Sequence, residues 1–198
     1  MKSSRPVVSL DLCGTLSDCG VYDKMWYEVI PRMYAESKGI GLEEARREVI
    51  SSYRSVGPSS LSWYLPSYWI RRFGLSYDEF LRRCGEIKVR VPEHVRKLRE
   101  RYRVILSTNV SKEVLSFSLE DIFFDEVYSS VDMGYPRKDE RFWMDVIRSE
   151  GVQPSDVIHL GDDFVYDYMI PSSLGIRASL ARHDRVLFYI HYATGVRL

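Results

Sequence analysis

The order of apolar and polar positions divides this chain of 198 residues into two kinds of segment. Val7–Leu10 is a short apolar run, broken only by Ser9, that ends in Asp11 and a glycine-containing turn. Such a run predicts a buried strand. From about residue 17 to 88 the spacing is helical throughout. Met25, Val29 and Met33 recur every four positions, as do Tyr22, Trp26 and Ile30, and give a broad apolar face to a helix ending at Gly39. Ala45, Val49 and Tyr53 predict a second helix over 42–54, and Gly57-Pro58-Ser59-Ser60 is a turn signal. A third helical stretch is predicted over 61–73, interrupted near Pro66. A fourth starts at Ser76, a suitable N-cap, and runs to about residue 87.

From Val91 the pattern alternates. Pro92 opens a predicted helix to residue 101, 104–107 reads as a strand, and Ser111 caps a helix toward Leu119. A short strand over 126–129 follows, then a helix over 139–151, a turn at Pro154-Ser155, and strands over 157–160 and 177–180. Strands alternating with helices predict an α/β fold with a doubly wound, Rossmann-like parallel sheet covered on both faces. The strand at 7–10 belongs with this second half. The expected organisation is therefore a core of residues 1–16 and 89–198, with a helical insertion over 17–88.

Composition narrows the classes. A hydrophobic share of 45% with 28% charged residues suits a globular chain. Lys plus Arg and Asp plus Glu each total 28, so no global field draws the chain to nucleic acid or to an anionic membrane. Neither is expected as a partner. The apolar run at the start is too short for a signal peptide, and none elsewhere approaches the roughly 18 residues of a membrane span. The three cysteines, Cys13, Cys19 and Cys84, lack CxxC spacing, which argues against a disulfide scaffold or a zinc site. The expectation is a soluble protein of the reducing cytoplasm. Arg outnumbers Lys by 21 to 7, which gives each lysine position more weight.

In an open parallel sheet, ligands bind beyond the carboxyl ends of the strands. There the chain carries Asp11-Leu12-Cys13-Gly14-Thr15-Leu16, then Thr108-Asn109, then Gly134-Tyr135-Pro136-Arg137-Lys138, and finally Gly161-Asp162-Asp163 with Asp167 beyond. Each alone is ordinary cap or turn chemistry. Their order is what matters: a carboxylate, a hydroxyl, an ammonium and an acidic cluster, each at or near a strand end.

That order resembles the haloacid dehalogenase-like (HAD) hydrolase superfamily. The matching stretches are VVSLDLCGTL, VILSTN, GYPRKDERF and VIHLGDDFVYD, and the insertion after the first strand resembles the family's helical cap. The resemblance implies that Asp11 is the nucleophile and forms an aspartyl-phosphate. It implies Mg²⁺ on Asp11, the backbone carbonyl of Cys13 and Asp162, supported by Asp163 or Asp167. Thr108, Asn109 and Lys138 would hold phosphoryl oxygens, together with backbone N–H groups of Gly14 and Thr15.

One position departs from the pattern. Where the phosphatases carry a second Asp, two residues after the nucleophile, this chain has Cys13. That Asp serves as acid and base, and a thiol is a feeble substitute. The resemblance then leaves several readings open. The substrate needs little leaving-group protonation, as acyl phosphates do; or the chain is a slow relative or a binding protein; or it runs other chemistry, as dehalogenases and phosphonate hydrolases do. In the blandest reading Cys13 only packs and water or another group takes over. A dehalogenase needs no metal, so the acidic cluster favours phosphorus. The phosphonate branch needs a cap lysine, for which only Lys24 is suitably placed. Trp63, Tyr64, Tyr68, Trp69 and Phe73, with Arg71 and Arg72, either face a substrate or form the core of the insertion.

Overall fold

The computed structural model describes residues 5–18, 20–120 and 123–195. Five strands form one sheet: β1 (Val7–Leu10), β2 (Arg103–Thr108), β3 (Glu126–Ser129), β4 (Val157–Gly161) and β5 (Arg177–Leu180). All neighbours are parallel and the order is β3-β2-β1-β4-β5, so the chain is an α/β protein with a Rossmann-like parallel sheet. β1 lies at the centre, which is why its four residues are all buried. The order reverses direction between β1 and β4, the place where such sheets bind ligands.

The helices are α1 (Gly20–Lys24), α2 (Ile30–Lys38), α3 (Leu42–Val56), α4 (Pro66–Arg72), α5 (Tyr77–Arg83), α6 (Lys112–Ser118), α7 (Glu140–Glu150), α8 (Ile170–Ser173) and α9 (Val186–Thr194). Two turns are π-helical, Met25–Val29 and Phe164–Met169. The segment Glu93–Glu100, expected as an α-helix, is a 3-10 helix. Its buried residues explain this: Val95 and Leu98 are three apart, matching three residues per turn. The C-terminal helix α9 had no counterpart in the sequence reading.

The chain divides into two compact units, one of residues 1–18, 90–110 and 121–198, the other of 19–89 and 111–120. In the first, α7 packs Phe142, Trp143 and Val146 against Val7, Ile105 and Val157 of the sheet. In the second, α2 packs against α3, and Met25, Ile30 and Met33 are buried, as is the stripe of Ala45, Val49 and Tyr53 predicted for α3. Trp69 is fully buried there, edge-on to Tyr53 at 4.7 Å and stacked on Phe73 at 5.7 Å, so these rings form the unit's own core. Segment 111–120 falls in this helical unit. Its Glu113 carboxylate accepts from Ser67 N at 2.7 Å, Ser67 Oγ at 2.9 Å and Tyr77 Oη at 2.9 Å, tying α6 to α4 and α5. Among the described residues no helix is long and apolar enough to cross a membrane.

Candidate active site

The site is assembled at the carboxyl end of the sheet, beginning with Asp11. Its backbone N–H donates to the Leu160 carbonyl at 2.9 Å, which fixes the residue beyond β1 against the end of β4. The chain then turns back sharply: Leu16 and Ser17 both donate to the Leu12 carbonyl at 2.9 Å, and Gly14 donates to the Ser17 carbonyl at 2.8 Å. Gly14 has φ +78°, and a Cβ there would fall 2.1 Å from Asp162 Oδ2. Only glycine fits both demands. Its N–H, expected to face a phosphoryl oxygen, is spent inside the turn. The Thr15 side chain is buried, with Oγ1 3.5 Å from the Ala181 carbonyl.

Lys138 comes from the loop between β3 and α7. Asp139 next to it caps α7 by accepting from Phe142 N at 3.1 Å, which anchors the loop. The ammonium is buried, 2.7 Å from Asp11 Oδ1 and 2.5 Å from Asp167 Oδ1. Burial alone would lower its pKa, but the two carboxylates raise it above the ordinary lysine range.

The sequence left open whether Asp163 or Asp167 completes the acidic cluster. Ligand oxygens of Asp11, Asp162 and Asp167 all lie within 4.8 Å of one another. Asp163 is turned away: its Oδ1 accepts from Val165 N at 2.8 Å and Tyr166 N at 2.9 Å, as the N-cap of the π-helical turn. Its backbone N–H does contribute, donating to Asp167 Oδ2 at 3.1 Å. Asp167 reaches the site because helical side chains lean toward the N-terminus. It also needs Gly161, where a Cβ would meet the Asp167 Cγ at 2.3 Å.

Three carboxylates share one ammonium. Asp167 is the better served: burial pushes it up, yet Lys138 and the hydrogen bond from His159 hold it below the usual carboxylate range. Asp11 is pushed up to about 7, first by burial and then by Asp167 and Asp162, against the pull of Lys138. At the exposed rim, partial burial and the charge of Asp167 raise Asp162 as well. The excess negative charge and an all-oxygen donor set suit a hard divalent cation such as Mg²⁺.

Thr108 is buried at the end of β2, and its Oγ1 accepts from Val110 N at 3.2 Å, which leaves its proton to donate elsewhere. Asn109 Oδ1 accepts from Ser130 Oγ at 2.8 Å. Cys13 is disulfide-bonded, against the expectation of a free thiol, while Cys84 is a buried free thiol. An odd count of cysteines without CxxC spacing gave no sign of that bond. Sequence reasoning also missed His159, whose imidazole contacts Asp167. The signal was present: a histidine inside the buried run of β4 has to be paired.

Asp11, Lys138, Asp162 and Asp167 thus converge at the carboxyl end of a parallel α/β sheet. No protein-family model matches the chain. In particular, it is 26% identical over 164 residues to the GMP/IMP nucleotidase YrfG of Escherichia coli (strain K12), covering 78% of this chain and 73% of that one. Among solved structures it is similar to a HAD phosphatase from Thermococcus onnurineus, with TM-score 0.73, 19% identity, and 98% and 100% of the two chains covered. A 2-haloacid dehalogenase from Pseudomonas syringae pv. Tomato DC3000 gives TM-score 0.63 at 16% identity over 97% and 100% of the chains. A HAD family enzyme from Bacteroides thetaiotaomicron, in complex with magnesium and inorganic phosphate, gives 0.54 at 16% identity over 90% and 94%. The resemblance read from the four motifs is thus borne out, and a hydrolase of this fold agrees with these relatives.

Proposed function

We propose that the chain is a Mg²⁺-dependent phosphatase of small phosphomonoesters, acting through an aspartyl-phosphate on Asp11. The observation that carries this is the buried carboxylate of Asp11, joined to Lys138 and clustered with Asp162 and Asp167. Three carboxylates around one ammonium are a poor site for a halide leaving group and a good one for a cation with a phosphoryl group.

Asp11 Oδ1 is engaged by Lys138. The carboxylate attacks phosphorus, a new P–O bond forms, and the ester P–O bond breaks. The leaving alkoxide takes a proton from water, because the disulfide-bonded Cys13 has none to give. A second water then attacks the aspartyl-phosphate, releasing inorganic phosphate and restoring Asp11. Lys138 and the Thr108 hydroxyl offset charge on the phosphoryl oxygens, with Asn109 and the Thr15 N–H beside them. Asp11, Asp162, Asp167 and the Cys13 carbonyl would hold Mg²⁺, which when bound neutralises charge on the transferred group. The helical insertion of 17–88, joined by 111–120, would play the part of a substrate-selecting cap. The loss of the acid at position 13 favours substrates whose leaving group needs little protonation. The likeness to a GMP/IMP nucleotidase makes purine nucleoside monophosphates the first esters to try.

The test is a panel of GMP, IMP, an aryl phosphate, an acyl phosphate and a 2-haloacid, each with Mg²⁺ and with chelator. Phosphate release that requires Mg²⁺ is expected. Halide release indifferent to chelator would point to the dehalogenase reading instead, and no turnover of any substrate to a binding protein.

A further inference from the structure

Beneath Asp11 the sheet buries three polar side chains completely: Ser9 of β1, Ser107 of β2 and His159 of β4. Ser9 stands beside His159 in register, and beside Ile105 on its other flank. Ser107, two residues beyond Ile105, therefore shares their face. The Ser9 and Ser107 hydroxyls lie 2.8 Å apart, Ser9 Oγ lies 3.0 Å from His159 Nδ1, and His159 Nε2 lies 3.1 Å from Asp167 Oδ1. Asp167 Oδ1 meets Lys138 Nζ, which returns to the Ser107 carbonyl at 3.3 Å. The contacts close a ring through three strands, the loop residue Lys138 and Asp167 of the π-helical turn. Trp143 seals its side, edge-on to the imidazole at 4.5 Å.

The ring has a direction. Asp167, paired with an ammonium, only accepts. The imidazole therefore carries a proton on Nε2, which it gives to Asp167, while the Ser9 hydroxyl donates to Ser107 Oγ and stands 3.0 Å from Nδ1. Buried hydroxyl and imidazole groups cost free energy unless fully paired, and an apolar side chain would fill position 159 more cheaply. A closed ring of this kind holds one geometry.

We propose that His159 is a positioning residue: locked by Ser9, it fixes the Asp167 carboxylate and through it sets Lys138 against Asp11. The proposal deepens the phosphatase reading of this site and rests on it. Hydrogen-bond partners of ligating groups typically contribute 10–100-fold to activity or metal affinity.

The experiment compares the full-length chain with His159→Gln, His159→Phe and Ser9→Ala, using kcat and KM for an aryl phosphate and thermal melts. Alongside, ¹⁵N spectra of histidine-labelled protein are recorded without metal or substrate, with the His159 resonances identified by their loss in His159→Gln. His159→Phe should lower kcat about 10–100-fold with KM little changed. His159→Gln should recover most of that, since its amide N–H reaches where Nε2–H stood. The wild-type ring should be the Nε2–H tautomer and should respond to Asp167→Asn. A phenylalanine and a glutamine variant that fall equally and in step with their melting points would overturn the proposal, as would an Nδ1–H tautomer. If the wild type releases no phosphate from any ester, the phosphatase reading fails, and the tautomer alone still decides whether His159 holds Asp167.

Discussion

Asp11 has too few partners for its charge. Its pKa of about 7 means that the folded protein holds a proton the unfolded chain gives up at pH 3.8. A raised carboxylate pKa stabilises the fold fully below 3.8, and that contribution is lost as pH climbs through about 7. Asp167, held below the ordinary range, is ionised in both states above about pH 5 and adds no slope there. A divalent cation would replace the missing proton. The rise in melting temperature on adding Mg²⁺ should therefore be small at pH 5 and larger at pH 8; an equal rise at both would contradict the charge argument. Position 13 is the other residue-scale question. If its missing acid limits turnover, Cys13→Asp should raise phosphate release by roughly 10²–10⁴-fold, the usual worth of a general acid–base. An unchanged rate would remove Cys13 as the cause.

Elements decide which of two similar residues reaches the site. Asp163 and Asp167 are four apart and were equivalent as text. The π-helical turn separates them, because one caps its N-terminus and the other leans back over it. Asp163→Ala should cost about 1 kcal/mol of stability, the common value for a lost N-cap. Its Mg²⁺ requirement should shift far less than that of Asp162→Ala, as titrations of activity against Mg²⁺ would report. Equal shifts in the two variants would place Asp163 in the cluster after all. The same scale explains the 3-10 helix at Glu93–Glu100. Its apolar spacing of three was visible in Val95 and Leu98, but a short stretch opened by Pro92 reads just as easily as an α-helix.

At the scale of the whole molecule, what the sequence shows clearly is what depends on local pattern. β1, β2 and β4 lie where apolar runs place them, because a central parallel strand is buried on both faces, and the less buried edge strands β3 and β5 lie where short runs were expected. Asp11 and Asp162 were legible since strand ends are where open sheets bind ligands, and Lys138 from its place in the order of the motifs. Contacts between distant residues were not legible. The ring through Ser9, Ser107 and His159 joins positions about a hundred residues or more apart. The clamp of Glu113 on Ser67 and Tyr77 joins positions 46 and 36 apart, and α6 falls in the helical unit.

The central claim is that phosphate leaves substrate by way of Asp11. The most direct measurement is Mg²⁺-supported phosphate release by the wild type and by Asp11→Asn under identical conditions, with both shown to be folded by their melting curves. The expected result is turnover by the wild type and none by Asp11→Asn, because an amide cannot attack phosphorus. Phosphate release by Asp11→Asn at a rate near the wild type's would contradict the account.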